Sequence, residues 1–155
     1  MNFVILSEEE VYNGSKRWLI NNGYAIIAGQ PARGVDHLPV IEIKMPSGDK
    51  GSRDAYKPDL VAFKDDLFFI IECKPEYNDS DRIKILNILN SEERLYNFYV
   101  ELKQYQLLRR VGYGKAVREF YNDVKGILAF SGMPGPACEL KKLIIEDWKG
   151  KGILL

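Results

Sequence analysis

The chain has 155 residues, enough to bury a core of its own and too few for a separate recognition module, so a single domain over 1–155 is expected. Hydrophobic residues make up 46% and charged residues 28%, an ordinary globular composition that argues against extended disorder. Lys plus Arg and Asp plus Glu balance at 22 each, with a pI near 6.6, which excludes a polycation that holds nucleic acid by overall charge. Any DNA-binding face must then be a local cluster. The two cysteines, Cys73 and Cys138, lie outside any CxxC context, so neither a disulfide framework nor a zinc knuckle is expected. A single histidine, His37, rules out HxH metallohydrolases, paired-histidine ribonucleases and HExxH zincins, and no role is assigned to it. The opening MNFVILSEEE turns acidic too soon for a secretory leader, and no apolar run approaches a membrane span. The expected location is the cytoplasm, away from membranes.

Ser7 followed by Glu10 is a capping-box signature, and Val11, Trp18 and Leu19 keep helical spacing, predicting a helix from Glu8 to the stop at Gly23. Tyr24 to Ala28, an apolar run bounded by glycines, reads as a strand. From Gly29 to Lys57 the chain is rich in Gly, Pro and basic residues and reads as a loop, with an edge hairpin at Val40-Ile41-Glu42-Ile43-Lys44. Leu60 to Phe63 and Leu67 to Cys73 flank Lys64-Asp65-Asp66, a hairpin signal. After Pro75 the apolar spacing is helical through Leu89, and again from Glu92 to Arg110, where Gly112 and Gly114 interrupt it. Ala116 to Tyr121 is a shorter amphipathic stretch. Gly126 to Phe130 is a further strand, and a closing helix or strand pair covers Cys138 to Trp148. This order predicts an α/β (mixed α+β) fold with a central mixed sheet of four to five strands flanked by helices.

The chemistry concentrates at the end of the second hairpin strand. Alternation puts Phe68, Ile70, Glu72 and Lys74 on one face and Phe69, Ile71 and Cys73 on the other. A strand apolar on both faces is buried between layers, yet this one carries a carboxylate and an ammonium at its end, where charge is costly. If the turn is the two-residue Asp65-Asp66, Lys64 pairs with Leu67 and Asp59 falls directly across from Glu72. A three-residue turn would instead set Asp59 opposite Cys73. Opposed carboxylates repel unless a cation neutralises them, and Mg²⁺, a hard ion that takes oxygen ligands, fits that need. Lys74 projects beside the same place, where it can orient or deprotonate a water or offset charge on phosphorus. Pro58 and Pro75 bracket the two strands. The structural alternative is a buried or rim ion pair between Glu72 and Lys74, with Asp59 starting a strand by chance.

Pro58-Asp59 followed by Glu72-Cys73-Lys74 resembles the PD-(D/E)xK motif of restriction-endonuclease-like and Holliday-junction-resolvase-like nucleases. The resemblance extends to the order helix, three strands, helix, strand between Glu8 and Phe130, and so implies a restriction-endonuclease-like core. It implies a Mg²⁺-dependent deoxyribonuclease, with Mn²⁺ as a substitute ion, that leaves 5′-phosphate and 3′-hydroxyl ends. Asp59, Glu72 and the main-chain carbonyl of Cys73 would bind the metal, and Lys74 would assist the water. Many members add a first-helix glutamate that reaches the metal through water. Here Glu8, Glu9 and Glu10 compete; Glu8 lies on the face that continues to Val11, Ser15 and Trp18, Glu10 is used by the cap, and Glu8 is therefore selected. All three acids also suit a helix N-terminus with no further role. Gln104 and Tyr105 resemble a glutamine that some members place near the site.

Arg33, Lys44, Lys50, Arg53 and Lys57 cluster in the glycine-rich segment and are expected to track DNA phosphates, or else to form an ordinary solvated loop. The functional expectation is an endonuclease acting on DNA, either restriction-type or structure-selective, working as a homodimer to cut two strands. The alternative is a non-catalytic nucleic-acid-binding or assembly subunit with the same fold.

Overall fold

A computed structural model of the chain describes residues 4–30, 37–44 and 55–155. Its centre is one mixed sheet of six strands in sequential order: β1 (Ala25–Gly29), β2 (Leu60–Lys64), β3 (Leu67–Cys73), β4 (Val124–Phe130), β5 (Lys141–Ile145) and β6 (Gly152–Leu154). The first three strands are antiparallel, β3, β4 and β5 run parallel, and β6 returns antiparallel. Parallel neighbours need a crossover, and between β3 and β4 it consists of four helices. These are α2 (Asp79–Leu89), α3 (Glu92–Gln104), α4 (Leu107–Val111) and α5 (Val117–Asn122); α1 (Glu8–Asn21) precedes the sheet.

Each sheet face buries its own core. Val61, Phe68, Ile70 and Leu128 pack with Ile85, Phe98, Leu102 and Phe120 from the crossover helices, joined by Ile41 and Ile43. On the opposite face Leu60, Ala62, Ile71, Cys73, Ile127 and Leu143 meet Val11, Tyr12 and Leu19 of α1. The alternation read from Leu67 to Cys73 is thus the division between two layers.

The α1 cap is formed as expected. Ser7 Oγ accepts from the Glu10 N–H at 3.1 Å, and Glu10 Oε1 accepts from the Ser7 N–H at 3.1 Å. The β2–β3 turn is the two-residue form, with Asp65 and Asp66 both left-handed at φ 53° and 62°. That conformation matches the strand twist, and aspartate tolerates it better than most residues.

Three expectations require correction. The sheet has six strands, not four to five, because the segment after Cys138 forms β5 and β6 and no helix. Val40–Lys44 is not a strand: Ile43 makes a single antiparallel bridge with Tyr56, while Ile41 and Ile43 bury against the helical layer. The helix expected from Glu92 to Arg110 is broken at Gln106, which is left-handed at φ 58° and separates α3 from α4. No described helix is long and apolar enough to cross a membrane.

Candidate active site

The hairpin register fixes the geometry. Lys64 pairs with Leu67 and Leu60 with Ile71, so Asp59, one step before β2, lies level with Glu72 and on the same sheet face. Asp59 is held at both ends. Its carbonyl accepts from the Gln30 N–H at 2.8 Å, and its Oδ2 accepts from the Cys73 N–H at 2.8 Å, replacing a ladder bond where the pairing ends. Gly29 is needed beside it, since a Cβ there would lie 2.8 Å from Tyr12 Oη and 3.3 Å from the Asp59 carbonyl oxygen.

Glu72 is 6% exposed, near the end of a central strand. Burial, and then the Asp59 carboxylate within hydrogen-bonding reach, push its pKa up to about 9. Without a cation the Glu72 carboxyl therefore keeps its proton at neutral pH. Tyr56 faces the same group. Among the described residues its buried hydroxyl makes no hydrogen bond of ordinary geometry, and burial followed by the charge of the adjacent Glu72 holds the phenol well above its ordinary value.

Lys74 continues past β3, its N–H donating to the Ala129 carbonyl at 3.0 Å. Its Nζ lies 3.4 Å from Glu8 Oε1 and 3.5 Å from Asp81 Oδ2. Burial alone would lower this amine, but Asp81, Asp59, Glu72 and Glu8 outweigh it and hold the group above its usual range. Lys74 is thus an ammonium clamped between α1 and α2. Asp81 is nearly buried, and its Oδ2 has no hydrogen-bond partner besides this ion pair. Burial raises its pKa, an effect that Lys74 partly offsets.

One buried serine holds the frame together. Ser131 Oγ donates to the Pro75 carbonyl at 2.6 Å and accepts from the Leu6 N–H at 2.7 Å, tying the segment before Glu8 to the segment after Lys74.

The structure therefore brings Asp59, Glu72, Lys74 and Glu8 to one end of the sheet. Cys73 contributes only its main chain there, because its thiol is buried in the α1 layer, where burial raises its pKa. Among the basic residues expected to track phosphates, Lys57 is paired with Glu42 at 3.5 Å, and Lys44 is exposed with its carbonyl accepting from Asn97. Arg33, Lys50 and Arg53 lie outside the described residues. Gln104 and Tyr105 are exposed at the end of α3 and make no hydrogen bond to Asp59, Glu72 or Lys74.

Sequence reasoning missed Tyr56, Asp81 and Ser131. Asp81 sits three residues after the α2 cap Asn78, whose side chain accepts from the Asp81 N–H, and so reads as an ordinary first-turn acid. Only its burial against Lys74 sets it apart.

Among the described residues, no group of three or more His, Cys, Asp or Glu side chains is arranged to hold a metal ion. The donor set amounts to two opposed carboxylates and nearby main-chain oxygens. Compared with family models, curated proteins and solved structures, the chain matches none.

Proposed function

We propose that the chain is a divalent-metal-dependent deoxyribonuclease, of restriction or structure-selective type, that hydrolyses phosphodiesters at the end of β3. The observation that carries this reading is the register that sets Asp59 level with Glu72, on one face, with Lys74 next on the same strand. A buried carboxyl that keeps its proton beside a second acid can exchange that proton for a hard cation. Mg²⁺ commonly uses one or two carboxylates plus substrate phosphates in place of a full protein cage, so this sparse donor set fits it. Asp59, Glu72 and the Cys73 carbonyl would hold the ion, and Mn²⁺ fits the same oxygens. A bound ion would supply an activated water and a counter-charge for the phosphoryl oxygens.

The rest of the work falls to protein groups. Lys74, kept charged by Asp81 and Glu8, is a hydrogen-bond donor for charge that builds on phosphorus; an ammonium cannot be the base. Glu8, 3.4 Å from the Lys74 ammonium, would orient a water beside a bound ion. Double-strand cutting would require a homodimer, one site per strand. A non-catalytic nucleic-acid-binding or assembly subunit is the second reading, favoured by the absence of a third acidic ligand among the described residues.

Incubation with supercoiled plasmid, single strands and a four-way junction in Mg²⁺ separates the two readings. Cleavage of at least one form is expected, with Asp59→Ala and Lys74→Ala each slower by on the order of 10²-fold or more. If wild type cuts none of the three, the enzyme reading is lost and the binding subunit remains.

A further inference from the structure

Beyond the carboxylate pair, the described residues form an open cleft of about 480 Å³ lined by Pro39, Tyr105, Gln106, Leu107, Arg109 and Arg110. Its shape comes from the left-handed kink at Gln106, which ends α3 and turns α4 so that Arg109 and Arg110 follow the exposed ring of Tyr105. Tyr105 is 47% exposed, and its ring makes no aromatic contact among the described residues. Both arginines are exposed, and neither guanidinium makes an ion pair or hydrogen bond among the described residues. Other cations are already engaged: Lys57 with Glu42, and Lys115 with Asp66 and Asp123. The nearest acid on α3, Glu101, has its carboxylate occupied by the Glu42 N–H at 3.1 Å.

The cleft wall is tied through β1 to the strand that begins after Asp59, on the opposite edge of β1. The Gly29 N–H donates to the Pro39 carbonyl at 3.0 Å, and the next N–H, of Gln30, donates to the Asp59 carbonyl. Pro39, on the cleft wall, and Asp59, in the site, are therefore held by consecutive residues at one end of β1.

We infer that this cleft binds a single-stranded stretch of nucleic acid, with phosphates on Arg109 and Arg110 and an unpaired base stacked on Tyr105. Guanidinium groups suit phosphate oxygens, and a free aromatic face suits a base released from its duplex. The inference rests on the proposed action on nucleic acid and adds to it a preference for substrates with unpaired bases.

Fluorescence anisotropy with a labelled oligothymidylate of about 20 nucleotides, in EDTA so that no cleavage intervenes, tests it. The Arg109→Ala/Arg110→Ala double variant should bind about tenfold or more weakly, with the log–log salt slope smaller by roughly 1.4, since each lost single-strand phosphate contact removes about 0.7. Tyr105→Ala should bind about tenfold more weakly with the slope unchanged. No binding by wild type, an unaltered double variant, or a duplex competing better than the single strand would overturn the inference. If wild type cuts DNA and the double variant keeps its KM, the cleft reading falls while the nuclease reading stands. If the arginines govern binding but wild type cuts nothing, the reverse holds.

Discussion

Glu72 is a carboxyl placed where its charge is disfavoured, and the consequence for stability has a definite sign. Below about pH 4.5 it is protonated in folded and unfolded chains alike, and its contribution is fully present. Between there and about pH 9 only the folded form keeps the proton, so rising pH favours unfolding until the group ionises in both states. Glu72→Gln removes this titration. In EDTA, denaturant melts should show the variant gaining on wild type by up to about 1.4 kcal/mol per pH unit between pH 6 and 8. A gap that does not change with pH would mean that Glu72 ionises as an ordinary surface acid. At this scale the sequence was informative where a covalent spacing sets the geometry: a two-residue turn fixes Asp59 against Glu72, and two-residue alternation fixes Glu72 with Lys74. It was silent on Asp81, Tyr56 and Ser131, because their roles arise from side-chain packing that no local spacing announces.

At the scale of elements, the helical layer is pressed closely onto β4. A Cβ at Gly126 would stand 2.4 Å from Ile85 Cγ2 and 3.0 Å from Leu140 Cδ2, so α2 rests on this glycine. Gly126→Ala should lower stability by about 1–3 kcal/mol through overpacking, measured by thermal or urea unfolding. A variant as stable as wild type would show that α2 can shift freely, and with it Asp81 and its hold on Lys74. Long periodic elements such as α1 were legible within a residue or two, because a cap and a buried stripe both mark them. The break at Gln106 was not, since a left-handed glutamine carries no compositional signal. Val40 to Lys44 misled for a different reason: its buried Ile41 and Ile43 give strand-like alternation, yet among the described residues only one bridge forms.

For the molecule as a whole, the sheet explains why polar groups collect at one end. β3 and β4 run parallel and finish together, β2 begins there, and the N-terminal turns of α1 and α2 bring Glu8 and Asp81 over the same edge. Parallel strands commonly present their ligands at this end. Four acids gather around one lysine, and a divalent ion would balance the charge that Glu72 takes on when its proton leaves. Titration of the metal-free protein with Mn²⁺, read from the paramagnetic resonance signal of the free ion with a short duplex present, measures that balance directly. One ion should be taken up per wild-type chain, and Asp59→Asn should lose it. Equal uptake by the two proteins, or none by wild type, would contradict a metal site built on Asp59 and Glu72.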